Sequence, residues 1–189
     1  MASTMTTYSG HRFVPTAPEP DMSQVEVLDI AHALSMLCRG SGQLKSFYSV
    51  GLHCLNCAAE AEARGYAPRV QLACLLHDAS EAYLSDIITP VKVHLPDYLL
   101  IENRLQSAIY TKYLGSPLTD AEFALVDDVD KALLNPELGL RAHTAPGDAG
   151  GSLMHSKPEM GELPFKQVED AYLARFATLE PLVKPGSQA

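Results

Sequence analysis

Basic residues and long apolar runs are both scarce in this 189-residue sequence, and each scarcity excludes a class of protein. Its 14 lysines and arginines stand against 23 aspartates and glutamates, which gives a net charge of −9 with neutral histidines. Such a chain repels phosphate backbones, so we expect no nucleic-acid polymer as a partner. A small anionic ligand stays compatible with this charge, since a few local cations or a metal outweigh a diffuse field.

Signals for export or membrane insertion are also missing from the sequence. No apolar stretch approaches the roughly 20 residues that a bilayer span needs, so we expect no association with a membrane. The N-terminus lacks the basic and then apolar layout of a signal peptide. We therefore expect a cytoplasmic protein in which the four cysteines are reduced.

What the sequence does contain is helical periodicity, without an internal repeat and without a convincing strand pattern. Helices are predicted over residues 25–38, 46–63, 68–84, 97–114, 119–135 and 164–179. Thr119 and Glu122 have the spacing of a capping box at the start of the fifth helix. Residues 86–96 are predicted to be irregular because two prolines interrupt them. The sequence predicts an all-α fold, a single-domain helical bundle.

The predicted organisation is an extended segment over residues 1–24, one domain over 25–182 and a tail over 183–189. Within the domain, residues 139–161 are rich in Gly, Pro, His and Ser and show no helical period. About twenty residues without regular structure is long for a compact domain. This composition is typical of a solvated loop, and also of a lid over a phosphate site.

A histidine and an aspartate follow the most apolar helical stretch of the chain. Six of the seven residues from 70 to 76 are apolar or small, and His77, Asp78 and then Glu81 come directly after them. Burying ionisable groups is costly unless they are paired or bind a metal. The alternative is a helix that simply emerges into solvent at His77.

Two further polar residues are predicted to face the core. Asp130 has Leu133 and Leu134 at helical spacing, so it projects from the apolar face of its helix. His53 has Cys57 four positions later, again on an inner face. The alternatives are a buried aspartate that pairs with a histidine and a core histidine that is satisfied by hydrogen bonds.

Two imidazoles and two carboxylates thus form a candidate ligand set of His53, His77, Asp78 and Asp130. Mixed nitrogen and oxygen ligands suit Mn²⁺, Co²⁺, Zn²⁺, Fe²⁺ or Ni²⁺ better than Ca²⁺. Four protein ligands in an octahedral shell would leave two positions for water and a phosphate oxygen.

The order of these four residues resembles the H…HD…D signature of HD-domain metal-dependent phosphohydrolases. The resemblance extends to the segments DIAHALSMLCR, FYSVGLH and LLHDASEAYLSDIITPVK, and to the D-x-x-L-L-x-x-E pattern from Asp130 to Glu137. These segments look like the 5′-deoxynucleotidase (YfbR-like) branch and cover roughly residues 25–137. The resemblance implies an HD-domain fold in which the four residues are the metal ligands.

The resemblance also implies roles for residues around the ligands. Glu81 and Asp86 match the acidic pair that orients or deprotonates the attacking water, and such a carboxylate should stay ionised beside a divalent cation. Arg39 matches the arginine that grips the substrate phosphate, and Lys92 would neutralise the same group. The alternative for Arg39 is a charge that complements a helix C-terminus.

The implied activity is the hydrolysis of a small (deoxy)nucleotide by attack of a metal-bound water on phosphorus. The favoured substrate is a deoxynucleoside 5′-monophosphate, which gives nucleoside and phosphate. The alternative is a deoxynucleoside triphosphate that releases triphosphate, as in the small phage HD-domain dATP triphosphohydrolases of the DatZ type. A second alternative is a non-catalytic nucleotide-binding HD module. The resemblance also implies a homo-oligomer, with Mg²⁺ as a second ion that accompanies the nucleotide.

Two positions depart from the pattern of the deoxynucleotidase branch. Gly40 stands where a bulky residue crowds the 2′ position of the sugar, so steric rejection of ribonucleotides is not implied here. Gln43 replaces a histidine of close relatives, which implies altered base or phosphate recognition.

The pair Cys54 and Cys57 has the C-x-x-C spacing of zinc ribbons and thiol-redox sites. There is no second pair at zinc-ribbon spacing, and the motif lies inside a predicted helix. We interpret both cysteines as core residues, with metal binding or redox chemistry as the alternative.

Overall fold

The computed structural model describes residues 3–141 and 152–183. The helices are α1 (Val27–Met36), α2 (Val50–Ala63), α3 (Pro68–Leu76), α4 (Glu81–Leu84), α5 (Thr89–Lys92), α6 (Pro96–Leu114), α7 (Asp120–Leu138) and α8 (Phe165–Val183). The predicted all-α class is confirmed. None of these helices is both long and apolar enough to cross a bilayer. Residues 142–151 of the predicted loop or lid, and 184–189 of the predicted tail, lie outside the described residues.

A small hairpin near the N-terminus corrects the prediction that the chain contains no strand. Strands β1 (Met5–Thr6) and β2 (Arg12–Phe13) pair antiparallel. The sequence showed no alternating pattern here because two residues are too few to produce one. Phe13 is buried in the core, so the hairpin covers one end of the bundle.

Helix α3 is the central element, and α2, α6, α7 and α8 all pack against it. Its side chains from Leu72 to Leu76 are fully buried. A helix that is apolar on every side is stable only where other helices surround it, which is the environment that this stretch occupies.

The structure ends α3 at Leu76, so the prediction of one helix over residues 68–84 was wrong beyond this point. The side-chain amide of Gln106, on α6, donates to the Leu76 carbonyl and accepts from the Ser80 N–H. These bonds satisfy backbone groups that the end of a helix leaves free. The chain therefore turns through residues 77–80.

Two other predicted boundaries change for local reasons. Helix α2 begins at Val50 rather than at residue 46, because the Ser49 hydroxyl caps it by accepting the Leu52 N–H. Residues 86–96 were predicted to be irregular, but they contain α5, in which Pro90 occupies the first turn where its missing N–H is tolerated.

Helix α7 begins at the predicted capping box, in which the Thr119 side chain accepts the Glu122 N–H and the Glu122 carboxylate accepts the Thr119 N–H. It runs to Leu138, beyond the predicted end at residue 135. The added turn includes Glu137, which lies two turns after Asp130 on the same face of the helix.

Helices α1 and α2 lie close together at Gly51. A Cβ atom at this position would lie 3.1 Å from the backbone carbon of Leu34 and 3.1 Å from the backbone nitrogen of Ser35. Because both neighbours are backbone atoms, they cannot move aside as a flexible side chain would. Gly51 therefore allows α2 to pack against α1 two residues before His53.

We predict that Gly51→Ala destabilises the protein by about 1–3 kcal/mol, the usual effect of overpacking. At an ordinary position inside a helix, the same change stabilises by about 0.5–1 kcal/mol, so the two expectations differ in sign. Urea denaturation measures the difference. Ala59→Gly, at an exposed position of α2, is the control and should lose only the helix propensity of alanine, about 1 kcal/mol. A stabilised Gly51→Ala variant would contradict the close approach.

Candidate metal centre

The four residues predicted as ligands meet at one place. His53 comes from α2, His77 and Asp78 from the turn after α3, and Asp130 from α7. His53 Nε2 lies 3.1 Å from His77 Nε2 and 3.0 Å from Asp130 Oδ1. Asp78 Oδ2 lies 3.2 Å from His77 Nε2 and 3.8 Å from His53 Nε2. Two atoms that bind one ion at about 2.1 Å stand about 3.0–3.4 Å apart, so the three shorter separations fit a shared metal ion, whereas Asp78 Oδ2 lies farther from His53 Nε2.

Hydrogen bonds on the far side of both imidazoles fix which ring nitrogen faces the cluster. His53 Nδ1 lies 2.6 Å from the Glu137 carboxylate, and His77 Nδ1 lies 2.8 Å from the Cys74 carbonyl oxygen. Both acceptors require an N–H, so each Nδ1 donates and each Nε2 presents a lone pair. In the neutral imidazoles, two lone pairs 3.1 Å apart, beside two carboxylates, repel one another unless a proton or a metal cation lies among them.

The pKa shifts of the histidines and of Asp78 also indicate that the cluster favours bound positive charge. Burial lowers the pKa of both histidines, but Cys57 and Glu137 raise the pKa of His53, and Asp78 and Cys57 raise that of His77, so that both lie well above the usual range. Burial raises the pKa of Asp78, yet the interactions with His77, Arg39 and His53 hold it well below its usual range. Without a metal, protons on the imidazoles supply part of the charge that the carboxylates require.

Glu137 accepts hydrogen bonds from three side chains at the cluster. Its Oε1 accepts from His53 Nδ1 at 2.6 Å and from the Tyr48 hydroxyl at 3.1 Å, and its Oε2 accepts from Arg39 Nε at 3.0 Å. A carboxylate that holds the second nitrogen of a ligand histidine fixes the orientation of the ring. The sequence pattern included Glu137 without predicting a role, although its position seven residues after Asp130 was the available signal.

Arg39 lies within the cluster and donates to three carboxylates. Besides Glu137, it contacts Asp78 through Nη1 and Asp130 through Nη2, each at 3.3 Å. The pKa of Arg39 is raised well above its usual value, because these three carboxylates outweigh the opposing effect of burial. In this arrangement Arg39 serves as the cation of the cluster, and its predicted contact with a substrate phosphate stays a prediction.

Glu81 is buried beside the cluster with one oxygen that has no partner. Within the part of the chain that the structure describes, no hydrogen bond reaches its Oε2. Burial, with the negative charges of Asp78 and Asp86, raises the pKa of Glu81 to about 9. The predicted ionisation of Glu81 at neutral pH therefore depends on a nearby cation, which would lower this pKa.

The other two residues predicted beside the ligands are both held by polar contacts. Lys92 Nζ lies 2.7 Å from Glu102 Oε1 and 3.5 Å from Glu81 Oε1. Asp86 Oδ2 accepts the backbone N–H of Gly40 at 2.9 Å. Gly40 has a φ of +63°, a conformation that favours glycine, and this turn places its N–H on Asp86.

Two cavities open beside the cluster, and Asp78, Glu81, Lys92 and Asp130 border both. The Arg39 cavity, of about 220 Å³, is also lined by Arg39, Gly40, Tyr48, Asp86 and Thr89. The Tyr110 cavity, of about 190 Å³, is also lined by Ser80, Asn103, Gln106, Tyr110 and Phe123. Because both cavities border the cluster, a small molecule in either of them would lie beside it. Gln43 is exposed and lines neither cavity, so its predicted role in recognition has no support from its position.

The two cysteines of the C-x-x-C motif occupy different environments, although both are buried. Cys57 Sγ lies 3.5 Å from His53 Nε2, the nitrogen that faces the cluster. Cys54 Sγ lies 3.9 Å from His77 Nδ1, on the far side of that ring. Cys57 therefore borders the Nε2 atom of His53 that faces the cluster, whereas Cys54 lies close to His77 and Asp78.

Residues 152–161, which end the predicted loop, are bound to the outer side of α2. Asn56 donates to the Glu159 carbonyl and accepts the Glu159 N–H, and it also donates to the Tyr48 hydroxyl at 2.9 Å. Glu60 accepts the N–H groups of His155 and Ser156. Through Tyr48, this segment is linked by hydrogen bonds to Glu137.

Comparison with known proteins finds two similar bacterial chains. Over 134 residues, the chain is 34% identical to the uncharacterized protein YfdR of Escherichia coli strain K12, and the match covers 71% of each chain. Over 111 residues, it is 39% identical to an uncharacterized protein of Rhodobacter capsulatus, covering 56% of this chain and 55% of that protein. No family model matches the sequence.

We predict that Glu81→Gln stabilises the metal-free protein at pH 8 and leaves its stability nearly unchanged at pH 5. The folded pKa, about 9, lies above the ordinary value of 4.5, so the contribution of Glu81 to stability is lost as pH rises through this window. Glutamine has no proton to lose. The melting temperature in chelator should rise at pH 8 by at least roughly 2–4 °C, equivalent to about 1 kcal/mol. Glu62→Gln, at an exposed position, is the control, and a pH-independent effect of Glu81→Gln would contradict the assignment.

We also predict that Glu137→Gln lowers the affinity for divalent metal about 10–100-fold, because the neutral amide orients His53 less firmly. Competition with a chromophoric chelator measures this affinity. The matched control is Glu169→Gln, since Glu169 accepts from His32 Nδ1 at 2.7 Å in a carboxylate–histidine pair away from the cluster. Equal losses in both variants would show that the effect is not specific to the centre.

Proposed function

We propose a function from the site itself, because this chain belongs to the family of Escherichia coli YfdR and YfdR is an uncharacterized protein. We propose that the protein is an HD-type, divalent-metal-dependent phosphohydrolase that acts on small nucleotides. The favoured substrate is a deoxynucleoside 5′-monophosphate, and the alternative is a deoxynucleoside triphosphate. The proposal extends the resemblance of the sequence to HD-domain enzymes.

The observation that carries the proposal is the 3.1 Å approach of His53 Nε2 and His77 Nε2 between two carboxylates. His53, His77, Asp78 and Asp130 would hold the ion. A divalent cation in such a site lowers the pKa of a water ligand and offsets the charge of a phosphate. The protein contributes the orientation of both imidazoles, which the Glu137 carboxylate and the Cys74 carbonyl fix in advance.

Two basic residues beside the cluster support an anionic substrate. Arg39 is anchored on Glu137 through Nε at 3.0 Å, while its contacts with Asp78 and Asp130 are longer, at 3.3 Å. The longer bonds are the weaker ones, so a phosphate can compete with Asp78 and Asp130 for Nη1 and Nη2 while the Nε bond keeps the side chain in place. Lys92 borders the same cavity and adds a second positive charge.

Glu81 is the residue best placed to move a proton. Its unpartnered Oε2 is buried next to the cluster, and the positive charge of a bound metal would lower its raised pKa and leave the carboxylate able to accept a proton. In the proposed reaction, Oε2 takes a proton from the attacking water or delivers one to the leaving oxygen. Asp86, which is held by the Gly40 N–H and also lines the Arg39 cavity, orients water there.

Gly40 supports a substrate range that includes ribonucleotides. It lines the Arg39 cavity, and a Cβ atom built there would meet no other atom within 4 Å. The space that a bulky side chain would fill is open, so a 2′-hydroxyl meets no steric barrier at this position.

The decisive experiment is a substrate panel. All ribo- and deoxynucleoside mono-, di- and triphosphates are incubated with Mn²⁺, Co²⁺, Mg²⁺ or Zn²⁺, and the products are separated by chromatography. We expect orthophosphate from monophosphates, with ribo- and deoxy-substrates cleaved at rates within about tenfold, the margin of roughly 1.4 kcal/mol that a small steric difference provides. Triphosphate release would instead select the alternative substrate.

Two variants test whether turnover belongs to this site. Asp78→Ala should abolish activity, as should a chelator, whereas Asp170→Asn should leave it unchanged because that carboxylate is exposed on α8. Metal-dependent binding of nucleotides without turnover would replace the proposal by a binding module. Turnover that persists in Asp78→Ala would overturn it.

A further inference from the structure

Cys57 presents a thiol to the metal centre that the proposed reaction does not use. It lies one turn after His53 on α2, and only 1% of the residue is exposed. One ligand atom each from His53, Cys57, His77 and Asp130 all lie within 4.8 Å of one another. A set of donors close enough to share one ion therefore contains a sulfur atom that was not among the predicted ligands.

We propose that Cys57 is an additional metal ligand and that it determines which ion the centre retains. This inference rests on the metal centre of the proposed function. Zn²⁺ and other thiophilic ions are bound by His53, Cys57, His77 and Asp130, whereas a harder ion such as Mn²⁺ relies on Asp78 instead of the sulfur. The basis is the preference of soft ions for thiolate and of hard ions for carboxylate.

The spacing of the donor atoms agrees with this assignment. A nitrogen bound to zinc at about 2.0–2.1 Å and a sulfur bound at about 2.3 Å stand about 3.5 Å apart at a tetrahedral angle. The observed separation of Cys57 Sγ and His53 Nε2 is 3.5 Å. Two imidazoles, one carboxylate and one thiolate also give the four ligands that zinc prefers.

Cys54 provides a matched control on the same helix. It is as deeply buried as Cys57, but its sulfur lies near His77 Nδ1, a nitrogen whose proton is already donated to the Cys74 carbonyl. Cys54 therefore faces the side of the imidazole opposite to the centre. The C-x-x-C motif separates into one packing residue and one ligand.

Co²⁺ tests the assignment by absorption, independently of catalysis. A cobalt–thiolate bond produces an intense charge-transfer band in the near ultraviolet, which nitrogen and oxygen ligands do not. We expect this band in the Co²⁺-loaded wild type and in Cys54→Ser, and its loss in Cys57→Ser. Cys57→Ala should also lose it, and circular dichroism verifies that each variant is folded.

Metal affinity tests the consequence for selectivity. Cys57→Ser should bind Zn²⁺ at least ~10-fold more weakly, with Mn²⁺ affinity changed less than ~2-fold, and Asp78→Asn should show the reverse order. A wild-type protein that binds Co²⁺ without the band overturns the role of Cys57 and leaves the proposed function intact. Equal effects of Cys54→Ser and Cys57→Ser also overturn it. A wild type that binds none of these ions contradicts both proposals.

Discussion

The 2.6 Å contact between Glu137 and His53 Nδ1 is the interaction on which the centre depends. It joins α7 to α2, and the same carboxylate also holds Tyr48 and Arg39, from the chain segment that precedes α2. One side chain thereby fixes a ligand imidazole and the basic residue that neutralises the cluster. A buried carboxylate is stable here because each of its oxygens accepts from strong donors, two of them charged or able to be charged.

Charge balance is the second constraint on this region. Asp78, Asp130, Glu137 and Glu81 lie together in a chain whose net charge is already −9, and Arg39 is the cation that contacts three of them. This excess of negative charge raises the pKa of both imidazoles and of Glu81, so that these groups bind protons in the metal-free protein. A divalent ion satisfies the same requirement without those protons. The electrostatics of the centre are therefore those of a cation site before any ion binds.

Helical spacing was sufficient to predict those parts of the site that lie within one helix. It placed His53 and Asp130 on inner faces, and the apolar run before His77 indicated that the following pair is partly buried. It could not predict the end of α3, because Gln106 comes from a helix thirty residues later in the chain and supplies the hydrogen bonds that stop it. The position of Cys57 followed from the spacing, but a buried thiol and an apolar core residue produce the same pattern.

The hydrogen-bond chain from α2 to Glu137 connects the centre to the last part of the long predicted loop. Glu159 holds both amide atoms of Asn56, Asn56 donates to the Tyr48 hydroxyl, and Tyr48 donates to Glu137. Linked donors polarise one another, so each bond strengthens the next. Residues 152–161 therefore belong to the support of the ligand imidazole as well as to the surface. The orientation of His53 depends on residues from three distant parts of the sequence, which explains why no single motif reveals the whole site.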